Sequence, residues 1–268
     1  MRDGEPLKSI LEYAEERGLS TGIITNDAVT GATPAALYAK ANERAEMAVI
    51  FQQVFTPRAG DGVDVMIGAG RPAIAKSLAA AGITLDALGS EKGRPLLSSL
   101  TDVAPNATRA IVLLDSADFE LAAAIQLARR MLSRNPKGYF LMVEWDTHTN
   151  VLRRGLDRMV ELDRVIEHTA RDAGGDTLLL FTADHSFDTR VRGGRSGVPL
   201  LEGYDEAEAK RVEEKRRDIR IPAVRMDDGH TGEEVLVAAQ GPGSERVHGY
   251  LANTDLFGVM MNALGWKP

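Results

Sequence analysis

Three of the five histidines stand in acidic company. His148 lies in Glu144-Trp145-Asp146-Thr147-His148, His185 follows Asp184 in Thr182-Ala183-Asp184-His185-Ser186, and His230 closes Asp227-Asp228-Gly229-His230. Imidazole nitrogen with carboxylate oxygen is the donor set that holds Zn²⁺ at about 2.0–2.2 Å when no thiolate is offered, and the chain has no cysteine. Residues two apart on an extended segment project to one face, so Asp146 and His148 can converge on one ion if the strand before them continues. Asp184 and His185 are adjacent and need a turn beyond their strand. Each pair taken singly is equally explained by a strand-end cap or a solvated loop. All three follow apolar runs, however, and the C-terminal edge of a single sheet could gather them around more than one metal. His168 and His248 read as surface positions, with metal ligation a lesser alternative for His248. Gly68-Ala69-Gly70 reads as a tight strand-to-helix turn, because a phosphate-cradling loop needs further glycines and a downstream acid.

The elements that must position these residues alternate between helical periodicity and short apolar runs. Helices are expected over 6–17 (stopped by Gly18), 33–50 (Thr33 as N-cap, Pro34 in the first turn), 72–81, 119–134, 152–173 and 253–266, the last capped by Asn253 or Thr254. Strands are expected over 21–25, 63–70, 107–114, 139–144, 176–183 and within 233–243. The alternation predicts an α/β fold with a mostly parallel sheet, in one continuous domain over 1–268. Residues 203–220 hold mixed charges with few apolar residues and read as a solvated helix or a variable charged insertion.

Composition narrows the function. Lys+Arg 32 against Asp+Glu 39 gives a net charge of −7 with no basic patch, so nucleic acid is not an expected partner. The longest apolar runs, Ile111–Leu114 and Leu178–Phe181, fall far below the roughly 18 residues of a membrane span. The first eighteen residues are charged where a secretory signal would be apolar.

Several segments in series resemble alkaline phosphatases. They are Gly22-Ile23-Ile24-Thr25 with Ala32-Thr33-Pro34-Ala35-Ala36, then 135–144 (NPKGYFLMVE), Thr182-Ala183-Asp184-His185, Gly229-His230-Thr231-Gly232-Glu233, Gly241-Pro242-Gly243-Ser244 and Asn253-Thr254-Asp255. The resemblance implies a three-layer α/β/α sandwich and a phosphate monoester hydrolase with two zinc ions and one magnesium, working through a phosphoserine. It implies that Asp146, His148 and His230 hold the first zinc, that Asp184 and His185 contribute to the second, and that Thr33 and Glu144 sit on the magnesium. Arg44, eleven residues after Thr33, falls where the family places the arginine that grips the substrate phosphate, a task suited to a planar bidentate guanidinium. Paired metals clamp the attacking and leaving oxygens of an in-line displacement. Substrates would be small phosphate monoesters, the location periplasmic or extracellular, and the family pattern allows a homodimer.

The chain departs from that pattern in three places. Glu144, Asp146 and His148 are closer together than in better-known members, which implies a shortened loop. Gly31 stands where many members carry an aspartate or histidine near the magnesium. The family's nucleophilic serine and metal-bridging aspartate lie upstream of the resembled region, and Asp115-Ser116 reads as a strand-end turn. The expectation is therefore the C-terminal portion of a longer domain, inactive alone. Two alternatives stand beside it: a non-catalytic zinc-binding homologue, or a relative acting on phosphodiesters or sulfate esters.

Overall fold

The computed structural model describes residues 5–147, 152–191, 195–205, 207, 219–221 and 223–267. They form two compact units, Met1–Asp146 and Thr147–Pro268. In the first, α1 (Ile10–Glu16), β1 (Ser20–Ala28), α2 (Ala32–Tyr38), α3 (Met47–Gln52), β2 (Val65–Ala69), α4 (Arg71–Ala80), α5 (Leu85–Glu91), β3 (Leu96–Leu97), β4 (Ala110–Leu113), α6 (Leu121–Leu132) and β5 (Tyr139–Glu144) follow in order. The five strands make one parallel sheet in the order β3-β4-β2-β1-β5.

Both faces of this sheet are covered, which gives three layers. Ile23, Met66, Ile111 and Leu113 join a core with Leu11, Tyr38, Phe51, Ile74, Leu78 and Leu88 from α1 to α5. Side chains alternate across a strand, so Gly22 and Ile24 face the other way. There α6 buries Leu121, Ala124, Ala128 and Leu132. Gly22 sets how close it comes: a Cβ at that position would lie 2.7 Å from Leu132 Cδ1 and 2.8 Å from Leu141 Cδ1.

Three local expectations are corrected. The helix expected over 33–50 is two short helices, α2 and α3, and Arg44 lies in an exposed turn between them. Residues 40–46 (KANERAE) carry no large apolar side chain that burial could reward. In their place the Gln53 amide grips the backbone of Lys40, accepting from its N–H and donating to its C=O, each at 3.0 Å. The N-cap of α2 is Gly31 rather than Thr33. The reach of α1 is shorter than the pattern suggests, because Ser9 and Glu12 form a capping box that starts it at Ile10, while Gly18 at φ 73 ends it as expected.

The second unit holds α7 (Leu152–Asp172), β6 (Leu179–Thr182), β7 (Ser186–Val191), β8 (Ile219–Arg220), β9 (Val224–Thr231), β10 (Val237–Gln240) and α8 (Asp255–Ala263). β6 pairs antiparallel with β10, and β7, β9 and β8 form a second antiparallel sheet. Thr254 is the N-cap of α8. Most of 203–220 lies outside the described residues. No helix among the described residues is long and apolar enough to cross a membrane.

The N-terminal edge of the parallel sheet buries charge. Glu15, 6% exposed, accepts from the Thr21 hydroxyl at 2.5 Å and the Gly62 amide at 3.0 Å. Asp64 accepts from the Thr21 amide at 2.9 Å and faces Arg109 Nε at 3.5 Å. Arg94 donates to the carbonyls of Val54 and Val63, and burial lowers its guanidinium to about 10. Burial pushes the Glu15 carboxyl above its usual range, against the pull of the Thr21 hydrogen bond, and the negative charge of Asp64 adds to the rise. A carboxyl raised in the folded state contributes stability that is fully present below the unfolded pKa and is lost as pH rises through the raised value. Glu15→Gln removes the charge and keeps partners for Thr21 and Gly62. Urea midpoints of the unmodified chain should therefore fall more between pH 5 and pH 8 than those of Glu15→Gln, both measured in chelator. Equal falls would remove Glu15 as the source.

Candidate metal centre

The chain runs from β1 outward through β2 to β4 on one side, then returns to place β5 on the other side of β1. The crevice between β1 and β5 at their C-terminal ends is thus a topological switch point, where parallel α/β sheets bind ligands. The register sets Thr25 beside Glu144, the last pair between the two strands.

Hydroxyl groups and carboxylates fill this crevice. The buried Thr25 donates to Glu144 Oε2 at 2.5 Å and accepts from the Asp27 amide at 2.9 Å. Thr33, which cannot cap its own helix, is hydrogen-bonded to Glu144. Burial pushes the Glu144 carboxyl above its usual range, the Thr25 and Thr33 hydrogen bonds pull it down, and the charges of Asp27 and Asp146 push it up again. The neighbourhood is all oxygen, the donor type that suits a hard cation such as Mg²⁺.

Asp146 follows on an extended segment whose backbone is held by one side chain. Asn26, 2% exposed, donates from Nδ2 to the Asp146 carbonyl at 2.9 Å and accepts from the Asp146 amide at 2.6 Å. The Asn26 amide acts here as one further rung of the β1–β5 ladder. Trp145 packs edge-on against Phe119, with ring centroids 5.5 Å apart. His148 lies outside the described residues.

In the second unit the structure brings Asp184, His185 and His230 together. His185 immediately precedes β7, its amide donating to Asp184 Oδ1 at 3.0 Å and its Nε2 lying 3.5 Å from Asp184 Oδ2. His185 Nδ1 is 3.0 Å from the Ser186 carbonyl; with the proton on Nδ1, Nε2 is left as the donor to a metal. His230 stands within β9, not in a loop after a parallel strand as its sequence context suggested. β9 is poor in apolar residues and is held by pairing with β7, where Phe187 faces His230 in the register. The two imidazole rings lie 4.0 Å apart, tilted by 35°. Their nitrogens with the Asp184 carboxylate make a donor set of the zinc type. Among the described residues no three His, Asp or Glu side chains form a closed metal cage.

Arg44 makes no ion pair among the described residues and is exposed, a cation left available to an anion. Ser116 lies on a bend beyond β4, where its Oγ accepts from the Asp118 amide at 3.0 Å, as a strand-end turn requires. Sequence reasoning missed Thr25, Asn26 and Asp27. Their one available signal was position, at the end of the first apolar run.

The alkaline phosphatase family model matches residues 1–100 and 104–214. Alkaline phosphatase 4 of Bacillus subtilis is 26% identical, the match covering 98% of this chain and 71% of that protein. The Thermus thermophilus alkaline phosphatase superposes with a TM-score of 0.79 at 25% identity, covering 99% of this chain and 75% of that one. A histidine-to-aspartate variant of the TAB5 alkaline phosphatase, described with magnesium in its M3 site, superposes at 0.70 with 21% identity, covering 98% and 77%.

Removing the Asn26 side chain leaves the half-buried N–H and C=O of Asp146 without these partners. Asn26→Ala is expected to cost about 1–3 kcal/mol of unfolding free energy and to speed hydrogen exchange at the Asp146 amide. Unchanged exchange there would show that another group holds the segment.

Proposed function

The chain belongs to the alkaline phosphatase family, and from that premise we propose that it carries the metal- and phosphate-binding residues of a metal-dependent phosphate monoester hydrolase. The observation that supports this most is the meeting of Thr33 and Glu144. These residues, distant in sequence, share a hydrogen bond at the switch point of the sheet, in a setting of oxygen donors alone.

On this reading Thr33 and Glu144 hold magnesium, Asp184 and His185 contribute to one zinc, and Asp146, His148 and His230 hold the other. The oxygen set at Glu144 and the nitrogen–oxygen set at His185 fit these ions in donor type. When bound, the metals supply charge that stabilises the attacking and leaving oxygens of a phosphoryl transfer. The chain's own residues do the positioning. Thr25 and Thr33 aim the Glu144 carboxylate, and Asn26 fixes the backbone of Asp146. Arg44 binds the non-bridging phosphate oxygens and offsets their charge in the transition state. The hydroxyl that accepts the phosphoryl group is assigned to no serine of these 268 residues. The substrate is a small phosphate monoester, the protein is exported, and a homodimer is compatible with the reading.

The test supplies the chain with zinc, magnesium and a chromogenic phosphate monoester at alkaline pH, with a chelator as control. Zinc and phosphate binding without turnover is expected. Chelator-sensitive turnover would place an acceptor hydroxyl within these residues, and failure to bind either zinc or phosphate would overturn the assignment. Within the same experiment, His230→Ala should lower zinc content by elemental analysis. Arg44→Ala should weaken phosphate binding with the metals retained; loss of metal would mean that Arg44 has a different task.

A further inference from the structure

Asp27 has no part in the assignments above, and its placement gives it one. β1 pairs with β2 in register up to Thr25–Gly68 and resumes at Ala28–Ala69, so Asn26 and Asp27 sit in an irregular step of the strand. Within that step the Asp27 amide is tied to Thr25 Oγ1, the hydroxyl that also donates to Glu144. The side chain of Asp27 then lies over Gly31. A Cβ at Gly31 would stand 2.8 Å from Asp27 Oδ2 and 2.9 Å from the Ala28 carbonyl, both closer than non-bonded atoms approach. The Gly31 backbone, at φ −58, is one that any residue adopts. Glycine is therefore required here by lack of room, and the Asp27 carboxylate takes up part of that room.

Gly31 is the N-cap of α2, two residues before Thr33. The carboxylate that fills the space above Gly31 thus stands at the N-terminal end of α2 and two residues beyond Thr25, the partner of Glu144 in the register, and its negative charge is among the causes that push the Glu144 carboxyl up. Among the described residues it forms no ion pair and accepts no hydrogen bond. Two exposed or half-buried carboxylates with threonine hydroxyls and no local cation are a setting that a hard divalent ion stabilises, since Mg²⁺ binds through one or two carboxylates and keeps several waters.

We propose that Asp27 is a further ligand, direct or through one water, of the magnesium ion held by Thr33 and Glu144, delivered from β1 into the space that the absent side chain at position 31 leaves open. The proposal rests on the magnesium assignment made above and adds to it a residue from a different element.

The test is calorimetric titration of the chelator-treated 268-residue chain with MgCl₂, alongside the thermal midpoint with and without Mg²⁺. Asp27→Asn keeps the size of an exposed side chain, and its midpoint without metal should match the unmodified chain. Its Mg²⁺ affinity should be at least about tenfold weaker, the range seen when supporting groups of a metal site are removed, and the Mg²⁺-induced rise in midpoint should shrink accordingly. Glu144→Gln separates the two ideas. If Glu144→Gln abolishes a Mg²⁺ site that Asp27→Asn leaves unchanged, the magnesium assignment stands and the role of Asp27 is overturned. If the unmodified chain binds no Mg²⁺, or Glu144→Gln binds it as well as the unmodified chain, both are overturned.

Discussion

Parallel pairing between β1 and β5 is the constraint on which the oxygen site depends. Neither strand follows the other in sequence; the chain must lay down β2, β3 and β4 before β5 closes on the free edge of β1. Once it does, the register alone sets Thr25 against Glu144. The Asn26 amide carries the same ladder one step further, to Asp146. A slip of one residue would send every side chain of β5 to the opposite face. Glu144 would then lie on the α6 side of the sheet, away from both threonines. The close fit of Gly22 to Leu132 and Leu141 opposes such a slip, so packing in the core fixes the geometry at the strand ends.

The two edges of this sheet treat charge in opposite ways. At the N-terminal edge the carboxylates of Asp61 and Asp64 are met by Arg109, and Arg94 is buried against backbone carbonyls close by. The ion pairs there are made within the fold, although Glu15 is met by a hydroxyl and an amide alone. At the C-terminal edge Glu144 is met by hydroxyls, and the charges that reach it, from Asp27 and Asp146, share its sign. Hydroxyl hydrogen bonds orient a carboxylate but do not neutralise it. The fold thus concentrates like charge at the edge where parallel sheets bind ligands, and burial together with that charge pushes the Glu144 carboxyl up.

Much of this was legible in the sequence, and what was not has physical reasons. β5 falls on 139–144 as expected, because an apolar run bounded by Asn135-Pro136-Lys137-Gly138 has few alternatives. The α/β class and the sheet's parallel character follow from the same alternation. The break between α2 and α3 was missed because the helical period continues through 40–46 in residue type, while the deciding interaction is a side chain thirteen residues on, Gln53 gripping Lys40. Thr33 looked like a cap since threonine before proline so often is; its hydroxyl instead serves Glu144, a partner that only the tertiary fold provides. His230 was read as a loop residue because a strand as polar as Val224–Thr231 has no apolar alternation to announce it. Asp27 gave no local signal at all, since its meaning depends on the absence of a side chain at Gly31.

The donors are sorted by chemical hardness along with the fold. In the parallel unit the crevice offers Asp27, Thr25, Thr33 and Glu144, and among the described residues of that unit there is no histidine. In the second unit the imidazoles of His185 and His230 are brought within 4.0 Å by the antiparallel register of β7 and β9. Affinity for zinc over magnesium rises with nitrogen donors, and a site of oxygens alone discriminates against it least when waters complete the shell. Strand pairing therefore does more than assemble ligands. It draws oxygen donors to one set of strand ends and nitrogen donors to another, so that one chain without cysteine presents a hard donor set and a borderline one.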